Sequence, residues 1–94
     1  MQDLKPFRDR IDNLDEKIIT LLGERFGIIR EVARLKSKQG IPSYLPDRVE
    51  EVKDRCADMG AKVGLDRELV KTIYTLIIAN AVSLEDIKIK ENDK

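Results

Sequence analysis

The 94-residue chain contains no histidine and no tryptophan, and it has a single cysteine, Cys56. Without histidine, the sequence excludes a histidine-based catalytic triad and a zinc site of the usual kinds. One cysteine cannot form an internal disulfide, which is typical of proteins in a reducing compartment. Cys56 also falls on an apolar stripe, so we expect it to be a core residue rather than a nucleophile.

Aromatic residues are few, and neither sign of charge dominates. Two Phe and two Tyr are present, and 18 basic residues balance 18 acidic ones. A balanced chain has no overall field that would gather nucleic acid or an anionic membrane, so any cationic site must be a local cluster. No aromatic residue interleaves with a basic run, as a base-stacking platform for single strands would require.

Long apolar runs are also missing. The most apolar segment, TIYTLIIANAVSL at residues 72–84, is too short and too polar to span a bilayer. The first residues, MQDLKPFRDR, are charged and lack the apolar stretch of a signal peptide. We therefore expect one soluble, cytoplasmic domain covering residues 1–94.

The hydrophobic periodicity that is present predicts three helices and no strands. The first helix extends from about residue 5 to 39 and stops at Gly40. After the connector GIPSYLPDR, the second helix begins at Pro46 or Asp47 and is stopped by Gly64. Asp66 is the expected N-cap of the third helix, which runs from about residue 67 to 88. The tail IKENDK is expected to fray.

Each of the two shorter helices has an apolar stripe that we expect to face inward. The stripe of the second helix consists of Val49, Val52, Cys56, Met59 and Val63. That of the third helix consists of Leu69, Ile73, Leu76, Ile77 and Leu84.

The first helix is too long for the other two to cover. At its predicted length it measures about 50 Å, and its outer part would project as an exposed apolar ridge, which soluble monomers avoid. A two-fold homodimer is the simplest closed arrangement that covers such a ridge. The expected fold is therefore all-α, with three helices per chain, one very long, intertwined as a homodimeric helical bundle.

The apolar seam of the first helix is interrupted at Arg25, where the repeat requires leucine. Taken alone, Arg25 can be a polar seam residue that specifies the partner helix and its register. Alternatively, its guanidinium group can reach water along the helix edge. Lys36 projects within about 20° of the same direction, three turns later. Arg8 and Arg48 also adjoin apolar surface, and no carboxylate obviously answers each of these four cations.

Unpaired cations beside apolar surface are costly, so a cluster of them indicates that an anion binds there. Arginine binds carboxylates through two parallel hydrogen bonds, which suits a small dicarboxylate enclosed between helices. The sequence offers no metal-ligand set and no cofactor motif. We therefore expect chemistry that needs only positioning and electrostatics, such as a unimolecular rearrangement or elimination.

The chain resembles the all-helical chorismate mutases, whose three-helix subunits intertwine as dimers. The resemblance runs from about Leu4 to Asp86, and the segments that show it are RDRIDNLDEKIITLLGERFGIIREVARLK, PDRV and IYTLIIANAVSLED. It implies a cofactor-free pericyclic rearrangement of chorismate to prephenate, in active sites shared between two chains.

The resemblance also implies roles for individual residues. Arg25 would bind one substrate carboxylate, and Arg8 would reach across the dimer to bind the second one in the other chain's site. Lys36 would donate a hydrogen bond to the ether oxygen, and Arg48 would contribute from the second helix. The other positions that match the family's site are Leu45, Val49, Ala81 and Glu85.

Three of these positions depart from the commonest bacterial pattern. Leu45 and Val49 replace acidic residues that would hold the ring hydroxyl, and Glu85 replaces a glutamine that donates to the ether oxygen. A carboxylate donates only when it is protonated. Valine at the position of Val49, directly after Arg48, also occurs in relatives that act on 4-amino-4-deoxychorismate or release pyruvate from isochorismate.

Three functions therefore stay open at this point. The first is a mutase acting on chorismate or its 4-amino analogue. The second is an isochorismate pyruvate lyase of the same fold. The third is a non-catalytic helical dimer whose arginines only set the register.

Overall fold

A computed structural model describes the backbone of residues 2–92 and the side chains of residues 3–88. After a short 3-10 turn at Gln2–Leu4, three helices follow: α1 at Lys5–Gln39, α2 at Pro46–Lys62 and α3 at Arg67–Asn92. The described part of the chain contains no strand. The predicted all-α class with one long helix is confirmed.

The ends of the helices follow local sequence signals. Gly40 ends α1 in the left-handed conformation, with φ of 69°, and its backbone N–H donates to the carbonyl of Lys36. Gly64, with φ of 87°, follows the end of α2. The Asp66 carboxylate accepts the N–H of Leu69 at 3.0 Å, so it caps α3 as predicted. The predicted end of the third helix near residue 88 was wrong, because α3 continues to Asn92; residues 93 and 94 of the tail lie outside the described part.

The core of the subunit lies where α3 packs against α2. Val52 and Cys56 of α2 and Val70 of α3 are buried, with Tyr74 and Ile78 packed against them. Cys56 is 5% exposed, which confirms its prediction as a core residue. Helix α1 also packs against α3, so α3 contacts both other helices and is the central helix of the chain.

The inward faces predicted for the shorter helices are only partly correct within one subunit. On α2, Met59 and Val63 are 50% and 75% exposed. On α3, Leu69, Ile73 and Leu76 are also exposed. Helix α3 has two apolar faces, and periodicity alone does not show which of them packs inside the chain. The buried face of α3 is instead formed by Val70, Tyr74, Ile78 and Ala81, with Glu85 on the same side.

In the part of the chain that the structure describes, no other helix covers α1 from its start to residue 21. Every side chain from residue 3 to residue 21 is exposed. This segment includes five apolar side chains at helical spacing that are each more than half exposed: Phe7, Ile11, Leu14, Ile18 and Leu21. We call this set the outer ridge.

The dimensions of the subunit reflect this projection. It measures 57 × 25 × 14 Å with a radius of gyration of 16.9 Å, whereas a compact chain of this length has about 12 Å. Its accessible surface is 7427 Å², against about 5,500 Å² for a compact monomer of this mass. Of the helices that the structure describes, none is both long enough and apolar enough to cross a membrane.

Candidate active site

A cavity of about 430 Å³ lies between the second half of α1, the connector, α2 and α3. Its volume suits a small organic molecule. Most of the wall is aliphatic, and its polar lining consists of Arg25, Lys36, Ser43, Arg48, Arg55 and Glu85. The cavity therefore combines four cationic side chains with one carboxylate.

Seven of the eight site positions predicted from the sequence line this cavity. They are Arg25, Lys36, Leu45, Arg48, Val49, Ala81 and Glu85. The eighth, Arg8, is an exposed residue near the start of α1 and does not line the cavity of its own subunit. The structure thus brings together residues from all three helices, and their catalytic roles stay predictions.

Arg25 has a buried nitrogen with nothing to bind. Its guanidinium carbon lies 5.9 Å from the centre of the Tyr74 ring, close enough for a cation–π interaction. Its Nη1 atom is buried and has no hydrogen-bond partner. Because buried donors in folded proteins are nearly always paired, this orphaned nitrogen indicates that an acceptor from outside the subunit binds here.

Lys36 is held by two partners at the opposite end of the lining. Its Nζ lies 3.2 Å from Oε1 and 3.3 Å from Oε2 of Glu85. It also donates to the carbonyl oxygen of Ser43 at 3.2 Å. An ammonium group has three donors, and these two partners use at least two of them.

Glu85 is almost completely buried, with 3% of its surface exposed. A buried carboxylate is tolerated when a cation pairs with it, and Lys36 supplies that cation. The two residues are 49 positions apart in the chain, so helical spacing could not have predicted the pair. Its consequence is that the positive charge of Lys36 is partly neutralised inside the cavity.

The connector is fastened to α3 beside this ion pair. The Ser43 hydroxyl donates to the carboxylate of Asp86, next to Glu85 in the chain. Sequence reasoning missed Ser43, because a serine in a short connector carries no specific signal.

Helix α2 supplies two arginines to the cavity. Arg48 binds Glu51 on the next turn at 2.7 Å, and both side chains are more than half exposed. Arg55 also lines the cavity, although sequence reasoning missed it. Seven residues correspond to nearly two helical turns, so its spacing from Arg48 was a signal that could have identified it. Leu45 and Val49 make the neighbouring wall apolar.

Tyr74 connects the cavity to the core. Its pKa is raised, first by burial and then by a hydrogen bond with the Cys56 side chain, while the charges of Arg25 and Arg55 oppose the increase. The phenol is therefore neutral at physiological pH, and its ring supports the Arg25 guanidinium. Among the described residues, no group of three or more potential ligands could hold a metal ion.

The comparisons with known proteins agree on one family. Residues 7–86 match the family model described as chorismate mutase type II. The chain is 34% identical over 85 residues to a 4-amino-4-deoxychorismate mutase of Streptomyces venezuelae, which covers 90% of this chain and 82% of that protein. It is 28% identical to a chorismate mutase of Methanocaldococcus jannaschii, over 97% of this chain and 92% of that protein.

A longer relative shows the same similarity over part of its length. The chain is 34% identical over 88 residues to a bifunctional chorismate mutase/prephenate dehydratase of Aquifex aeolicus. The match covers 90% of this chain but 24% of that protein.

Proposed function

Since the chain belongs to the chorismate mutase type II family, we propose that it catalyses the rearrangement of chorismate, or of its 4-amino-4-deoxy analogue, to the corresponding prephenate. The observation that supports this best is the orphaned buried nitrogen of Arg25, in the cavity that Lys36 also lines. A dicarboxylate with an ether oxygen would satisfy both groups.

The reaction needs electrostatics rather than a cofactor. A carbon–oxygen bond breaks while a carbon–carbon bond forms, all within one molecule, and negative charge develops on the ether oxygen. A donor at that oxygen binds the transition state more strongly than the ground state, which accelerates the step. Lys36 is the donor for this role, and Arg25 orients the substrate through a carboxylate.

The complete site is proposed to need a second copy of the chain. The outer ridge is apolar and uncovered, and the accessible surface exceeds that of a compact monomer. Pairing two copies of the chain would bury this exposed apolar surface. In a homodimer with paired α1 helices, Arg8 of one chain would enter the cavity of the other and bind the second carboxylate. Lining residues come from all three helices, which supports treating residues 1–94 as a single domain.

The register interpretation of Arg25 is less well supported. It does not require the cations to converge, whereas Arg25, Lys36 and Arg48 line one cavity. No feature of the cavity favours pyruvate release from isochorismate over rearrangement.

One assay tests the proposal. The purified protein is incubated in parallel with chorismate, isochorismate and 4-amino-4-deoxychorismate, and the products are identified by mass spectrometry. We expect prephenate or its amino analogue, lost in Lys36→Ala and retained in the control Lys38→Ala, because Lys38 is exposed and does not line the cavity. Pyruvate as the main product, or no conversion of any substrate, would contradict the proposal.

A further inference from the structure

Two of the four cations that line the cavity are already neutralised by the protein. Lys36 is paired with Glu85, and Arg48 is paired with Glu51. A cation that keeps its own carboxylate must exchange or share that partner before it binds a ligand carboxylate, which weakens the net gain. The remaining two cations carry most of the unbalanced charge of the cavity.

Arg55 is one of these two, and the carboxylates around it are occupied. Glu51 and Asp58 lie one turn away on α2, and each binds a different arginine. The adjacent Asp54 lies 3.6 Å from Lys71 of α3. The side chain of Arg55 has no hydrogen bond or ion pair in the described part of the chain, although it lines the cavity.

The second unbalanced cation is Arg25, and both arginines lie close enough to Tyr74 to act on its hydroxyl. Arg25 lies over the ring of Tyr74, and the charges of both arginines act on the Tyr74 hydroxyl. Arg55 directly precedes Cys56, whose side chain is hydrogen-bonded with that hydroxyl. Two like charges directed at one place repel each other unless an anion lies between them.

We propose that Arg55 is a substrate-binding residue, which together with Arg25 binds one carboxylate of the substrate. This inference rests on the proposed function for the identity of the ligand. Arg25 presents a buried nitrogen without an acceptor, and Arg55 is exposed at the cavity wall and can move onto the ligand. Arg48, which the sequence pointed to, then contributes less than Arg55 because Glu51 competes for it.

The test compares three variants with the wild-type protein. Arg55→Gln removes the charge, Arg55→Lys keeps the charge without the two-pronged geometry, and Lys62→Gln removes an exposed charge from the same helix, outside the cavity. Steady-state kinetics with chorismate and with 4-amino-4-deoxychorismate, and calorimetric binding of prephenate, are measured for each. Circular dichroism verifies that each variant is folded.

We expect Arg55→Gln to raise KM and the prephenate Kd by about 10- to 100-fold, the range for a hydrogen bond to a charged group, with a smaller change in kcat. Arg55→Lys should fall between Arg55→Gln and the wild type, and Lys62→Gln should match the wild type.

The outcomes separate this inference from the proposed function. If the wild type converts chorismate and Arg55→Gln keeps its KM and Kd, or changes them no more than Lys62→Gln does, the role of Arg55 is refuted and the mutase function stands. If the wild type binds prephenate through Arg55 without converting chorismate or 4-amino-4-deoxychorismate, the function is refuted and the binding role stands. Absence of both conversion and binding refutes both.

Discussion

The two halves of α1 have the same apolar periodicity and different environments. In the first half, the outer ridge is exposed along its whole length. In the second half, Ala33 is completely buried, and Ile29 and Val32 are half-buried beside the cavity, although Ile28 and Leu35 stay more than half exposed. The helix does not change in character between the halves, so the difference lies in what the rest of the chain can reach. Helix α3 covers one face of the second half, and no helix that the structure describes covers the first.

This comparison shows why an arginine can occupy the seam of one half and not the other. In the outer ridge, the seam positions are apolar, as an interface between helices requires. In the second half, the seam contains Arg25 and faces a cavity rather than a packed interface. The outer half is therefore proposed to bind another copy, and the inner half to bind the substrate.

Replacing the seam arginine should give the largest effect. Arg25→Ala should lower kcat/KM by about 100-fold or more, since it would remove the proposed charged hydrogen bond to the substrate. The protein should stay folded with equal or higher thermal stability, because an unpaired buried charge is removed. Arg34→Ala, an exposed position on the same helix, serves as the control. Activity and melting temperature falling together would instead support a structural register role.

A charge in the outer ridge should disrupt the proposed interface formed by the first half of α1. Leu14→Asp would place carboxylates in the proposed interface of both chains, so we expect monomers with little activity, although Leu14 does not line the cavity of its own chain. Light scattering coupled to size exclusion reports the mass, and Asn13→Asp adds the same charge beside the ridge as a control. A wild-type protein that is already monomeric at micromolar concentration, yet active, would contradict the shared site.

Replacing Glu85 should give a smaller effect, and it should raise activity rather than lower it. Its carboxylate neutralises Lys36 and cannot donate while ionised, so Glu85→Gln should raise kcat near neutral pH by about tenfold, below the full value of a donor at a developing oxyanion. The control is Glu50→Gln, on the exposed face of α2. An unchanged kcat in Glu85→Gln would place Glu85 outside the reaction.

The smallest effect concerns Tyr74, whose ring lies against Arg25, and the dependence of protein stability on pH. The pKa of Tyr74 is raised in the folded state, so the folded protein favours the neutral phenol. That stability is fully present below the ordinary tyrosine pKa of about 10 and is lost as the pH rises toward the raised value. In urea unfolding at several alkaline pH values, Tyr74→Phe should therefore lose less stability than the wild type, whereas Tyr44→Phe, an exposed position, should not differ. Parallel curves for Tyr74→Phe and the wild type would refute this coupling.

Local signals were enough to predict the helices. The predicted bounds of α1, residues 5 and 39, agree with Lys5–Gln39, because Pro6 suits a first helical turn and Gly40 a helix end. The face of α3 that packs was not predictable, because both of its faces are apolar and the choice depends on tertiary contacts.

The site was predictable where a residue broke a pattern. Arg25 was identified because it interrupts an apolar seam, and the family resemblance added the apolar positions Leu45, Val49 and Ala81. Arg55 was missed because the sequence does not show which carboxylate pairs with which cation on a helix as charged as α2. That information came from the ion pairs of its neighbours.

The most direct test of the division between the two halves of α1 is subunit mixing. Arg8→Ala damages the outer half and Arg25→Ala the inner half, and each homodimer should be inactive. In a heterodimer, one site would contain both lesions and the other none. Random exchange of equal amounts should therefore restore about one quarter of wild-type activity, since half of the dimers are mixed and each has one intact site of two. No recovery, after mass spectrometry has verified that the subunits exchanged, would contradict a site built from the inner half of one helix and the outer half of another.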